Sequence, residues 1–168
     1  FAIISVNPTM GGDGDSITIY CRGCGNTPGE VTFNGKKAQI IDWNSTQDGR
    51  ILVLAPENLE SGPIRVLIEG NSSNEPQYFY FIAKPAILRA DPSIAKANDT
   101  ITIYGRNFNP ISRFNTVKLA GDNCYVNTVP NHTTMSVTLP ANAKTGNLSI
   151  EINSDSYTLE GTSQAHIT

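Results

Sequence analysis

The 168-residue chain contains two copies of one sequence pattern. Three pairs of segments match at a constant offset of 84 residues: 7–8 with 91–92, 14–20 with 98–104, and 53–56 with 137–140. A fourth pair, 31–35 with 117–121, is offset by 86 residues, which indicates a two-residue loop insertion in the second copy. Because repetition at a fixed period marks repeated folding units, we expect two domains of one fold, residues 1–84 and 85–168.

The joint between the two copies falls near residues 83–85 and leaves a very short linker. Pro85 fixes its own φ angle and biases Lys84 toward extended geometry. We therefore expect a head-to-tail arrangement with limited freedom at the hinge.

Within each copy, apolar and polar residues alternate, as they do in strands that bury one face. Residues 17–20 (ITIY), 64–68 (IRVLI) and 148–152 (LSIEI) are examples. No stretch shows helical periodicity beyond about two turns. In the first copy, seven strands are expected to begin at Ile3, Ser16, Val31, Ala38, Ile51, Ile64 and Tyr78. Seven short strands in one copy are typical of an all-β, immunoglobulin-like sandwich.

The charge of the chain argues against a nucleic-acid partner. Lys and Arg number 12 and Asp and Glu number 15, so the net charge of -3 provides no positive field to attract a polyanion.

No window approaches the ~18 apolar residues of a membrane span, and the first residues lack the layout of a signal peptide. The chain begins at Phe1 and its first Met is Met10, so we expect a mature product or an excised fragment.

The second copy carries a distinctive run, NDTITIYGRNF, at residues 98–108. This run resembles the signature of the IPT/TIG domain, an immunoglobulin-like module of plexins, some transcription factors and many bacterial surface proteins. The first copy shares the similarity at residues 14–20, residues 31–35, Ala38 and Trp43. It departs at residues 21–24, where CRGC replaces GRNF. The resemblance implies a tandem pair of IPT/TIG sandwiches of the bacterial cell-surface type.

Against this family pattern, the three cysteines divide into a pair and a single thiol. Phe108 is expected to plug one end of the core of the second copy. In the first copy, a disulfide between Cys21 and Cys24 can replace that plug, contributing about 2 kcal/mol for so short a loop. Cys124 aligns with Ala38 on an inward strand position and is expected to be a buried free thiol.

Other cysteine chemistry finds less support. A thioredoxin-like centre needs its Cys-x-x-Cys motif at a helix N-terminus, and no helix is expected here. Haem attachment needs a His where Gly25 stands. A zinc site would draw four ligands from Cys21, Cys24, Cys124, His132 and His166, three of which lie in the other copy. We expect no cofactor and no metal.

Residues 11–15 (GGDGD) resemble one unit of a calcium-binding repeat, but such repeats bind by stacking many copies. We interpret them as a turn before a strand, with calcium at Asp13 and Asp15 as the alternative. Catalysis is not expected either. His132 lies in a turn, His166 lies near the chain end, and no Gly-x-Ser-x-Gly elbow accompanies them.

Two further surfaces are candidates for binding. Trp43 with Tyr78 and Tyr80 could form a platform for a sugar ring, whereas the competing interpretation buries these aromatic side chains in the core. An assembly strand that pairs with a neighbouring molecule could be formed by Phe1, Ala2, Ile3, Ile4, Ser5 and Val6.

The chain is also rich in Asn, Ser and Thr, and five glycosylation sequons begin at Asn44, Asn71, Asn98, Asn131 and Asn147. These matter only in a host that glycosylates.

Low charge, repetition and the expected disulfide favour a non-catalytic extracellular module for structure or adhesion, a spacer or display repeat of a larger cell-surface protein or filament. The alternative is an accessory module that binds a glycan or a protein through loops at one end of a sandwich. The expected partners are neighbouring protein modules or subunits, including a homopolymer, and a glycan, with no nucleic acid and no membrane insertion.

Overall fold

The computed structural model describes residues 1–44, 49–73 and 79–168. The chain divides into two compact units, Phe1–Ala83 and Lys84–Thr168. The prediction of an all-β fold is confirmed: the described residues form strands, with one short 3-10 turn at Ser112–Phe114. None of their helical segments has the length and apolar character needed to cross a membrane.

The first unit folds into two sheets. Its strands are β1 (Ala2–Asn7), β2 (Met10–Gly11), β3 (Ser16–Arg22), β4 (Glu30–Phe33), β5 (Lys36–Lys37), β6 (Gln39–Asn44), β7 (Arg50–Leu54), β8 (Gly62–Ile68), β9 (Asn71–Ser72) and β10 (Phe79–Ala83). One sheet has the order β1-β3-β7-β6, and the other has the order β2-β10-β8-β4-β5 with β9 beside β8.

The second unit repeats this plan, except that its last segment is divided between the two sheets. Its strands are β11 (Ala86–Asp91), β12 (Thr100–Arg106), β13 (Asn115–Leu119), β14 (Asp122–Asn123), β15 (Tyr125–Asn131), β16 (Thr134–Thr138), β17 (Gly146–Asn153), β18 (Thr158–Glu160), β19 (Thr162–Ser163) and β20 (His166–Ile167). One sheet has the order β15-β16-β12-β11-β19, and the other has the order β14-β13-β17-β18 with β20 beside β17.

The strand predictions for the first copy agree with the structure to within two residues. Strands are present where they were expected to begin at Ile3, Ser16, Val31, Ala38, Ile51 and Ile64. The seventh was placed at Tyr78, which lies outside the described residues, and β10 begins at Phe79. The two-residue strands β2, β5 and β9 were not predicted, because two residues carry no readable alternation.

Each unit has its own apolar core, and the inward faces of the paired strands supply it. Ile17 and Ile19 on β3 are fully buried in the first unit. Ile101 and Ile103 hold the equivalent positions on β12 of the second. Complete burial of one such side chain stabilises a domain by roughly 1.5–3 kcal/mol, so each pair contributes substantially to its core.

The turn before this central strand is also the same in both units. The Gly12 amide donates to the Asp15 carboxylate at 2.8 Å, and the Lys96 amide donates to the Asp99 carboxylate at 2.8 Å. The Asp15 carbonyl then accepts from the Ala55 amide at 2.9 Å, as the Asp99 carbonyl does from Leu139. In both units the Asx-Pro bond upstream of the turn is cis. The repeat in the sequence is thus a repeat of backbone hydrogen bonds.

Candidate functional site

The Cys-x-x-Cys motif closes one end of the first unit. Cys21 and Cys24 form a disulfide with a Cα–Cα distance of 5.9 Å. Both residues belong to the core, at 2% and 3% exposure. Gly23 between them has a φ of +74°, the left-handed conformation that glycine adopts without strain. The motif therefore acts as a buried staple at the end of β3.

The second unit fills the equivalent space with an aromatic ring. Phe108 is 2% exposed and belongs to the core of that unit. Gly105 stands where the first unit has Cys21, and a Cβ there would lie 2.6 Å from the Phe108 ring and closer still to the Ala86 carbonyl oxygen. The glycine thus provides room for the ring. Disulfide and phenylalanine are two solutions to one packing problem.

Cys124 is a free thiol that packs, partly buried, against the core of the second unit. Its amide donates to the Val117 carbonyl at 2.8 Å, as the Ala38 amide donates to Val31 in the first unit. Desolvation by burial raises the pKa of the Cys124 thiol to about 11, against a smaller opposing effect of the Leu119 backbone. The expected free thiol is thus half-buried rather than fully buried.

The acidic turn of residues 11–15 uses its carboxylates internally. Asp13 accepts hydrogen bonds from the amides of Asn58 and Leu59, both at 2.9 Å. Asp15 accepts from Gly12, as described above. Both groups therefore hold the backbone of a turn. In the part of the chain that the structure describes, no three His, Cys, Asp or Glu side chains cluster as metal ligands would.

Of the candidate aromatic platform of Trp43, Tyr78 and Tyr80, the structure describes Trp43 and Tyr80, and it places them on different sheets. Trp43 lies on β6, packs against the core, and donates from its Nε1 to the Gly25 carbonyl at 3.0 Å. Tyr80 lies on β10 in the other sheet, with 57% of its side chain exposed. Tyr78 lies outside the described residues. The structure thus separates Trp43 from Tyr80.

The two histidines have local structural contacts. His166 pairs through Nδ1 with the Asn147 side chain at 2.9 Å. The His132 carbonyl accepts from the Phe108 amide at 3.0 Å and so holds the plug residue in place.

The assembly strand proposed for residues 1–6 is β1 of the first sheet. It pairs antiparallel with β3, and it buries Ile3 and Val6 in the core. These residues therefore already have a place within their own unit.

A surface that was not predicted lies on the sheet β15-β16-β12-β11-β19 of the second unit. Its central strands turn Ile101, Ile103, Met135 and Val137 inward, where they are buried. Alternation then directs the intervening residues outward. Toward the end of the strands that holds Tyr125, the outward residues include those that we call the polar face: Thr100, Thr102, Tyr125, Asn127, Ser136 and Thr138. Tyr104 and Arg106 lie outward farther along β12.

The family comparison decides the class of this unit. Residues 85–167 match the family model of the IPT/TIG domain. The second unit is an IPT/TIG domain. The resemblance seen in residues 98–108 is therefore confirmed, and the polar face is the outer face of one sheet of an IPT/TIG domain.

No curated protein matches the chain. Among solved structures, an auxiliary nutrient binding protein from Bacteroides ovatus is 19% identical with a TM-score of 0.47, over 50% of this chain and 20% of that one. A surface glycan-binding protein from Prevotella bryantii is 15% identical with a TM-score of 0.43, over 95% and 41%. A γ-CGTase from alkalophilic Bacillus clarkii is 18% identical with a TM-score of 0.42, over 96% and 26%. The chain spans a fifth of the first structure and less than half of the other two.

One signal in the sequence would have revealed the polar face. Aligning the two copies strand by strand sets Asn127, Ser136 and Thr138 of the IPT/TIG domain against Ile41, Leu52 and Leu54 of the first unit. Comparison of the outward positions, rather than the inward ones, shows where the copies differ in surface chemistry.

Replacing both Cys21 and Cys24 with Ala should lower the unfolding free energy of the first unit by at least the ~2 kcal/mol of the cross-link. The matched variant Phe108→Ala should destabilise the IPT/TIG domain by ~3–5 kcal/mol. Urea unfolding followed by the fluorescence of Trp43, the lone Trp, should detect the first change and not the second. Equal sensitivity of Trp43 to both variants would contradict the assignment of the two plugs to separate cores.

The rate of alkylation of Cys124 should rise with pH over a higher pH range than for an ordinary thiol, because its pKa is raised. A group with pKa about 11 stays protonated at pH 9, so its reaction rate with iodoacetamide should keep rising tenfold per pH unit through pH 9. The rate is measured on non-reduced protein by mass spectrometry, with a short cysteine peptide as control. A rate that levels off near pH 9, as the peptide's does, would show that burial does not shift this thiol.

Proposed function

We propose that the chain is a non-catalytic extracellular structural module, a spacer or display element of a larger surface protein or filament. In this proposal, residues 1–84 form a second IPT/TIG unit beside the one at residues 85–168. The support is the repeated strand order, the repeated turn hydrogen bonds and the equivalent plug positions described above.

The path of the chain through each unit carries this proposal. In the first unit, β2 and β10 run parallel, with Met10 beside Ile82 and Gly11 beside Ala83. The last strand of the first unit therefore ends beside β2. Because β2 follows β1, this end lies away from Phe1. In the second unit, β11 and β19 run parallel, and the Thr168 amide donates to the Ser93 carbonyl at 2.9 Å, beyond the end of β11. In each unit the chain thus arrives at one end of the sandwich and leaves at the other.

This path suits a module that bears tension. A pull on the two ends of either unit runs along the parallel pairs β2–β10 and β11–β19, so the hydrogen bonds of each pair are loaded together in shear. A disulfide at the end of β3 adds a covalent restraint within the first unit. Disulfides persist in oxidising compartments, which supports placement outside the cell.

A role in binding through loops at one end of a sandwich has less support. The Trp43 side chain, a candidate for that role, is held against the core and bonded to the Gly25 carbonyl. Assembly into a filament through residues 1–6 would have to use the edge of β1 that faces away from β3, since the other edge is already paired.

Single-molecule stretching of the chain between its ends should show two separate unfolding events. Each event should release about 84 residues, or about 300 Å of chain at ~3.6 Å per residue, less the length of the folded unit. Two events of nearly equal length at forces well above the noise support the spacer role. One event of double length, or extension without a measurable peak, would contradict it.

A further inference from the structure

The polar face is organised by a hydrogen-bond network across β15, β16 and β12. The Asn127 side-chain amide donates to Thr138 Oγ1 at 3.0 Å and to Ser136 Oγ at 3.4 Å. The Thr138 and Thr100 hydroxyls lie 3.2 Å apart. Each hydroxyl keeps further capacity to donate or accept. The network therefore fixes the positions of these groups without exhausting their hydrogen bonding.

A β-bulge places Asn127 on this face. Val126 pairs with Val137 and Thr128 pairs with Ser136, so Asn127 is the extra residue on β15. Bulges at sheet edges re-aim side chains, and here the bulge brings an amide over two hydroxyls of the neighbouring strand. The arrangement is rigid because it is built on strands rather than on a loop.

Tyr125 supplies one exposed aromatic ring beside the network. It lies opposite Thr138 on β15, and 72% of it is exposed. Tyr104, two strands away, is covered, because the Arg89 guanidinium lies 3.8 Å from the centre of its ring. Tyr125 is thus the ring that this face offers to a ligand.

The charges on this sheet favour a neutral ligand. Thr100, Thr102, Ser136, Thr138 and Asn127 are uncharged. The charged residues of these strands lie on the side remote from Tyr125: Arg89 and Asp91 on β11, and Arg106 at the far end of β12. A face of hydroxyls and an amide without net charge complements a polyhydroxylated, uncharged molecule better than an ionic one.

The fold itself does not demand this polarity. The first unit places Gln39, Ile41, Leu52 and Leu54 at the positions of Tyr125, Asn127, Ser136 and Thr138, in the same registers and with the same bulge. One copy of the repeat thus tolerates aliphatic side chains where the other carries a connected polar network. The connected network is therefore a feature of the second copy and not a requirement of the shared strand pairing.

We propose that the polar face binds a neutral oligosaccharide. The Tyr125 ring packs against the apolar C–H face of one sugar ring, and the hydroxyl and amide groups around Asn127 hydrogen-bond to the hydroxyls of the next. Three strands ~4.8 Å apart and outward residues two steps of ~3.4 Å apart along a strand give an area of about 10 Å by 7 Å between side-chain origins, which suits two neighbouring sugar rings. The spacer role does not require this binding, so the failure of one leaves the other intact.

The test uses the full chain in affinity electrophoresis through native gels that contain barley β-glucan, galactomannan or arabinoxylan, with polygalacturonate as the acidic comparison. We expect at least one neutral polysaccharide to retard the chain, and polygalacturonate not to. Tyr125→Gln should weaken that retardation at least tenfold, whereas Tyr125→Phe, which keeps the ring, should stay within about threefold. Asn127→Ile should weaken it as Tyr125→Gln does.

Both of the disruptive substitutions install the residue that the first unit carries at the same place, so the fold accommodates them, and unchanged thermal melting confirms this. Tyr80→Ala, which removes an exposed tyrosine from the first unit, is the matched control and should leave retardation unchanged. The proposal is overturned if none of the neutral polysaccharides retards the chain, if only the acidic one does, or if Tyr125→Gln migrates as the parent does.

Discussion

The packing of inward-facing isoleucines between two sheets is the interaction on which each unit depends. On β3 and β12 these side chains alternate with outward polar ones, and a slip of one residue would exchange the two faces. The register is therefore set by burial. The β-bulges also occur at equivalent residues in the two units. One lies on the first strand of each unit, β1 or β11, and another lies on β6 or β15.

The end of each core shows how one fold accepts different chemistry at one position. A cross-linked Cys pair stabilises the first unit mainly by limiting the unfolded chain, whereas Phe108 stabilises the second through buried area. The phenylalanine requires Gly105 as its neighbour, because a Cβ there would meet the ring. In the first unit the positions of Gly105 and Phe108 are held by Cys21 and Cys24, which are buried and joined by the disulfide.

Much of the fold could be predicted from the sequence, because the strands alternate and the two copies support each other's assignment. The sheet to which each strand belongs could not be predicted in this way. Trp43 and Tyr80 looked like one platform in the sequence, yet they lie on different sheets, since alternation along a strand says nothing about which sheet the strand joins. The polar face was not predicted for a related reason. Its residues come from three strands, and strand pairing brings them together.

Two separate cores, each containing one strand of inward isoleucines, hold this chain together. Hydrogen exchange by mass spectrometry on Ile19→Ala and Ile103→Ala, each of which should cost its own unit ~2–5 kcal/mol, tests this separation. We expect faster exchange in peptides from residues 1–44 and 49–73 for the first variant and from residues 85–168 for the second. Faster exchange throughout the chain in either variant would instead show one shared core.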